Sequence, residues 1–164
     1  MTTVGFLHPG SMGVTLAATI DAERLWVGAG RSPATAERAE RAELIDAGSL
    51  DELCARSDVI VSICPPAAAG QVAHSVADCG FRGHYLDANA ISPATSIAIG
   101  GLFGERYIDG GVIGPPAIRP GTTRLYLAGP GAADLATRWH GSALDARVVS
   151  DRWTSGAASA LKMA

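Results

Sequence analysis

The stretch that most constrains this chain is DVIVSIC, residues 58–64. Its apolar residues are nearly continuous, where a half-exposed strand would alternate. Such a strand is buried on both faces, which calls for a parallel sheet with helices on either side. The rest of the 164 residues meets that demand. Strands are expected at Thr3–Leu7, Leu25–Ala29, Tyr85–Asn89, Arg106–Asp109, Arg124–Gly129 and Ala146–Val149. Helices are expected between them: Ser11–Ile20, a charged helix opened by Ser32-Pro33, and a short one from Ser49 to Arg56. Further helices are expected at Ala67–Asp78, after Ser92-Pro93, at Ala132–Trp139 and from Ser155 to Ala164. Serine before proline marks two of the starts, because the hydroxyl caps the helix and proline tolerates its first turn. Gly110–Gly121, rich in Gly and Pro, reads as a loop. Alternating strands and helices give an α/β, Rossmann-like, doubly wound fold with a mostly parallel sheet.

One domain accommodates this length. Hydrophobic residues are 48% of the chain but aromatics only 5%, so the core must be built from Ala, Val, Leu and Ile. The net charge of −3 gives no footprint for nucleic acid. No apolar run approaches the roughly 18 residues of a membrane span. The N-terminus lacks a basic segment followed by an apolar one, so no signal peptide is expected. The three cysteines form no Cys-x-x-Cys pair and read as free thiols of a cytoplasmic protein.

The first expected strand runs into His8-Pro9-Gly10-Ser11-Met12-Gly13 and then a helix. This is Gly-x-Gly-x-x-Gly, the dinucleotide-binding turn, without its first glycine. Gly10 would let the backbone approach a pyrophosphate, and Gly13 would let the helix pack closely on the strand. The helix N-terminus adds free N–H groups and a positive dipole end. His8 can replace the first glycine only in a tolerable αL conformation, which histidine adopts more readily than most residues. Pro9 stiffens the turn and removes one donor.

After the second strand comes Arg31-Ser32, where an acid would read a ribose 2′-hydroxyl. Arg31 is instead a planar cation suited to a 2′-phosphate, and Ser32 adds a hydroxyl. The expected cofactor is therefore NADP in preference to NAD. Arg31 also argues against S-adenosylmethionine, which carries no 2′-phosphate.

With these residues in place the chain resembles the N-terminal NAD(P)-binding domain of the β-hydroxyacid dehydrogenases, the family of 3-hydroxyisobutyrate and 6-phosphogluconate dehydrogenases. The family's Gly-Leu-Gly-x-Met-Gly falls on residues 8–13, and its Asn-Arg-Thr on Gly30-Arg31-Ser32. Its Leu-Pro loop falls on Cys64-Pro65-Pro66, which the resemblance puts along the nicotinamide. Its next segment falls on Asp87-Ala88-Asn89-Ala90 and Ser92-Pro93, which implies cofactor contacts from Asn89 and Ala90. Its substrate motif falls on Asp109-Gly110-Gly111-Val112-Ile113-Gly114-Pro115, and its catalytic lysine on Lys162.

The resemblance implies a hydride-transferring oxidoreductase in which Lys162 is acid or base and Ile113, Gly114 and Pro115 line the substrate. A lysine in an apolar cleft has its charged form disfavoured, as that role needs. It also implies that residues 1–164 stop at the start of the inter-domain helix, without the family's helical C-terminal domain, through which a homodimer would form. The chain departs from the pattern at the substrate motif. Ile113 has no hydroxyl, and Pro115 and Pro116 have no N–H, so a substrate carboxylate finds fewer donors. The substrate motif leaves an imine-reductase-like enzyme open, and the expected stop before the helical domain leaves open a dinucleotide-binding module without catalysis. Asp87 and Asp109 read as turn or cap residues, and no His, Cys, Asp or Glu spacing suits a metal.

Overall fold

The structure is a computed structural model describing residues 1–163. Ala164, the last residue of the expected terminal helix, lies outside the described residues. In chain order the elements are β1 (Thr3–Leu7), α1 (Ser11–Thr19), β2 (Glu23–Trp26), α2 (Pro33–Arg41), β3 (Ile45–Asp46) and α3 (Leu50–Arg56). They continue with β4 (Val59–Ser62), α4 (Ala69–Asp78), β5 (His84–Asp87), α5 (Pro93–Gly100) and β6 (Tyr107–Ile113). The last are β7 (Thr123–Ala128), α6 (Ala132–Thr137), β8 (Leu144–Ser150) and α7 (Ala157–Met163). The strands form one sheet in the order β3-β2-β1-β4-β5-β6-β7-β8. Every pairing is parallel except β6 with β7. The Rossmann-like architecture is thus the one expected.

Burial explains why DVIVSIC is so apolar. Val59 and Val61 join Val4, Phe6, Leu16 and Trp139 on one face of the sheet. Ile60 joins Leu53, Ala73, Val76 and Tyr85 on the other. Alternate residues of one strand therefore enter two cores. Trp139 anchors the first by donating its indole N–H to Leu16 O at 3.0 Å. In the second, Tyr85 stacks on Phe103 with ring centres 4.2 Å apart.

Several boundaries differ from expectation. Gly110 and Gly111 are strand, not loop, and pair with Leu127 and Tyr126. They are glycines because layers meet closely there. A Cβ at Gly110 would lie 2.6 Å from Leu86 Cδ1, and one at Gly111 would strike the Ala158 carbonyl and lie 3.2 Å from Lys162 Cε. The second strand ends at Trp26 and not at Ala29. Beyond it Gly28 N–H turns to the Asp46 carboxylate, 3.1 Å away. The two-residue β3 is too short to leave a sequence pattern. The terminal α-helix begins at Ala157 and not at Ser155. Trp153–Ser155 form a 3₁₀ turn that Gly156 ends in the αL conformation.

Candidate functional site

The strand order reverses between β1 and β4, which sit side by side and continue in opposite directions across the sheet. Ligands of such sheets bind outside the carboxyl ends of the strands at that reversal. His8–Gly13 follows β1 there, and Cys64–Pro66 follows β4.

His8 adopts φ 57°, the αL conformation that its place in the turn required. Gly10 N–H closes the turn on His8 O at 2.7 Å. A Cβ at Gly10 would meet nothing nearer than 4.0 Å, so the protein itself does not need a glycine there. Gly13 is the opposite case, since its Cβ would come within 2.5 Å of Ile63 Cγ2. That contact is the close helix packing expected of Gly13. Among the described residues no side chain caps α1, whereas Ser32, Ser49 and Ser92 cap α2, α3 and α5. The first residues of α1 line a groove, and their N–H groups receive no side-chain cap among the described residues.

Two hollows meet at His8 and Arg31. One, of about 440 Å³, is lined by Gly10, Ser11, Met12, Gly13, Thr35 and Cys64. The other, of about 360 Å³, is lined by apolar Leu7, Val27, Leu50 and Val72 with Gln71. Burial first, and then Arg31, holds the His8 imidazole below its usual range, which favours its neutral form. Its Nδ1 is buried and has no hydrogen-bond partner among the described residues. Arg31 is exposed and free of the five ion pairs among the described residues. The Ser32 hydroxyl, expected to serve a ligand, is already engaged as the α2 cap with Thr35 N–H at 3.2 Å. The chemistry of this set fits an extended anionic group beside a flat apolar one. The ingredients are an open glycine, an uncapped helix start, a free guanidinium and an apolar recess.

Lys162 lies on α7, which packs over β6. The helix is held from below. Asp109, on β6, accepts Ser159 N–H at 3.0 Å and also the Ser159 hydroxyl. The Ser96 hydroxyl of α5 donates to the same carboxylate at 2.8 Å. The Lys162 amine donates to the backbone carbonyl of Asn89, just past β5. Burial lowers the lysine to about 8, while Asp87 and Asp109 act in the opposite sense.

Asn89 is fully buried and each of its polar groups is used. Its N–H donates to Asp87 Oδ1 at 2.9 Å. Its side-chain oxygen accepts Cys64 N–H at 2.6 Å, and its amide donates to Ser62 Oγ at 3.0 Å. Sequence reasoning placed Asn89 among cofactor contacts, but its side chain faces inward to the Cys64 loop. Ala90, Pro65 and Pro66 are exposed beside it. Burial raises the Cys64 thiol, which disfavours its reactive thiolate.

Asp87 and Asp109 do close a turn and cap a helix, as expected. Sequence reasoning missed that both are buried and that both act on Lys162. Burial, opposed by the Asn89 N–H and Lys162, pushes Asp87 up to about 6. A carboxylate ending a near-continuous apolar strand was the available sign. Ile113, Gly114 and Pro115 lie at the far end of β6, exposed. Asp109, Gly111 and Ile113 alternate onto the face that α7 covers, so Ile113 continues the wall along which Lys162 lies. Among the described residues no group of His, Cys, Asp and Glu could hold a metal ion, and no helix is long and apolar enough to cross a membrane.

No protein-family model matches the chain, and no curated protein does. Solved structures do. MTH1747, a conserved protein of unknown function with structural similarity to 3-hydroxyacid dehydrogenases, is 28% identical over 98% of this chain, with a TM-score of 0.83. A reductive aminase from Aspergillus terreus, solved with NADPH4, cyclohexanone and allyl amine, is 17% identical over 99%, with a TM-score of 0.78. The 3-hydroxyisobutyrate dehydrogenase of Mycobacterium tuberculosis, solved with L-serine, is 19% identical over 96%, with a TM-score of 0.70. The chain spans 62%, 58% and 57% of those three chains. In fold, the chain is similar to the 3-hydroxyacid dehydrogenase-like structures.

Proposed function

We propose that this chain is the nucleotide domain of an NADP-dependent oxidoreductase that acts on a small carbonyl, hydroxyl or imine compound. The observation that carries the reading is the Lys162 amine. It is drawn down to about 8 and held at the carboxyl end of β5 on Asn89, whose side chain binds the N–H of Cys64 at the edge of the glycine-turn groove. A nicotinamide dinucleotide, when bound, supplies or accepts the hydride. His8–Gly13 would approach its pyrophosphate, the α1 N-terminus would face the negative charge, and Arg31 would take a 2′-phosphate. Cys64, Pro65 and Pro66 would border the nicotinamide. Lys162 would hold the proton that joins or leaves the substrate heteroatom, a task suited to an amine poised near neutrality.

The rim beyond β6 supports a substrate without a carboxylate at that end. Pro115 and Pro116 have no N–H, Ala117 N–H is spent on Thr15 Oγ1 at 2.9 Å, and Ile118 N–H on Pro116 O at 2.8 Å. Ile113 and Ile118 are exposed there, at 40% and 76%. An uncharged ketone or imine suits such a lip better than a hydroxy acid. In this reading residues 1–164 are one domain, and the full protein closes the cleft and dimerises through helices of its own.

The test is Lys162→Met in the full protein. NADPH binding should persist while turnover falls by about a hundredfold or more, in the range for a lost general acid–base. Unchanged turnover would remove Lys162 from the mechanism, and absent NADPH binding would remove the nucleotide reading.

A further inference from the structure

We propose that Asn89 is a positioning residue that ties the Cys64–Pro66 loop to the Lys162 amine, so that a nucleotide seated against the loop is read at the lysine. The inference rests on the nucleotide reading above and adds a connection to it. Among the described residues, Asn89 is the one hydrogen-bonded to both parts. Its side-chain oxygen holds Cys64 N–H at 2.6 Å, and its backbone carbonyl receives the lysine amine. The remaining bonds, to Asp87 Oδ1 at 2.9 Å and Ser62 Oγ at 3.0 Å, fix the turn against β5 and β4. Asn89, Asp87 and Ser62 are buried, so a movement of Cys64 is not absorbed by solvent at the turn and passes along it. Cys64 also lines the glycine-turn groove, which puts this turn one residue away from any ligand there.

The direction of the coupling follows from the bonds. A carbonyl that accepts from an ammonium favours the charged form. A ligand that orders the loop fixes the carbonyl more firmly and raises the proton affinity of Lys162. The other charged groups facing the amine are Asp87 from β5 and Asp109 from β6. α5 brings no titratable side chain. On β7 and β8, Arg124 and Arg147 both turn to Asp145, at 3.8 and 2.7 Å, and Tyr126 lies beside Arg147.

The test uses the fact that Lys162 is the only lysine of the chain. Competitive acylation across the neutral and alkaline range, read by mass spectrometry of its peptide, gives the lysine midpoint without any need for turnover. NADPH binding is followed in parallel by nicotinamide fluorescence. In the unsubstituted protein, saturating NADPH should raise the midpoint by roughly half a unit, a threefold change in the ionisation constant. Asn89→Ala should lower the nucleotide-free midpoint, weaken NADPH about fivefold through the lost Cys64 bond, and abolish the response. Asn89→Asp, which keeps an acceptor for Cys64 N–H and adds charge, should raise the midpoint instead. Where Asn89→Ala does not fold, Ser62→Ala removes one bond of the same turn and should shift the midpoint the same way by less. Equal midpoints in the unsubstituted and substituted proteins, or bound NADPH with an unmoved lysine, overturn the bridge. Loss of the fluorescence response in every variant removes the nucleotide reading alone, and the nucleotide-free midpoints then decide the bridge.

Discussion

Asp109 on β6 receives both the backbone N–H and the hydroxyl of Ser159, in the first turn of α7. The strand carboxylate therefore caps a helix 50 residues away and sets how far Lys162 reaches. Ser96 braces it at 2.8 Å and in turn meets the Tyr107 hydroxyl at 2.8 Å. Asp109→Ala would leave these buried donors without an acceptor. The expected cost is about 2 kcal/mol or more, a melting temperature lower by roughly 4–8 °C. A thermal melt of the two proteins measures it, and an unshifted melting temperature would mean that α7 is held by packing alone.

Gly10 and Gly13 separate ligand space from packing space. A Cβ at position 10 meets no atom within contact range, while one at position 13 presses on Ile63 at 2.5 Å. Gly10→Val should keep the melting temperature and lose NADPH binding. Gly13→Ala should lose about 1–3 kcal/mol of stability, as an overpacked contact does. Denaturant unfolding and NADPH titration of both variants give the comparison. A Gly10→Val protein that binds normally would remove the turn from the nucleotide site.

Arg31 is exposed between the two hollows and forms no ion pair among the described residues. Arg31→Ala should weaken NADP roughly 10- to 100-fold, the worth of a charge-assisted contact, and leave NAD nearly unchanged. Calorimetric titration with each dinucleotide checks this. Equal losses for both would take the 2′-phosphate away from Arg31.

Asp87 makes a pH-dependent contribution whose sign follows from its burial. Its folded carboxyl sits at about 6 against an ordinary 3.8. Between those values the folded chain holds a proton that the unfolded chain releases. The stabilisation is complete below 3.8 and is lost as pH rises through about 6. Asp87→Asn should remove that decline, on the order of 2 kcal/mol. It should also push Lys162 below its present midpoint of about 8, since the carboxylate favours the ammonium. Urea unfolding at several pH values and acylation of Lys162 test the two halves. A pH profile as steep as before would show that Asp87 ionises freely in the fold.

The apolar run at residues 58–64, the serine caps and the glycine turn made the fold legible in the sequence. Each acts within a few residues, through burial on two faces, a hydroxyl reaching the third N–H, or a backbone needing room. Position beside a strand end also made His8 and Arg31 legible as candidates, and the register of the family resemblance did so for Lys162. Other features were decided by tertiary structure. Gly110 and Gly111 belong to β6 because they pair with Leu127 and Tyr126, and they are glycines because Leu86 and Ala158 press on them, which no local pattern records. Ser32 is spent as a helix cap, and Asn89 turns inward to Cys64. Asp87, Asp109 and Lys162 converge from residues far apart in sequence. Their proton affinities depend on desolvation and on one another's charge, and both arise only when the chain has closed around them.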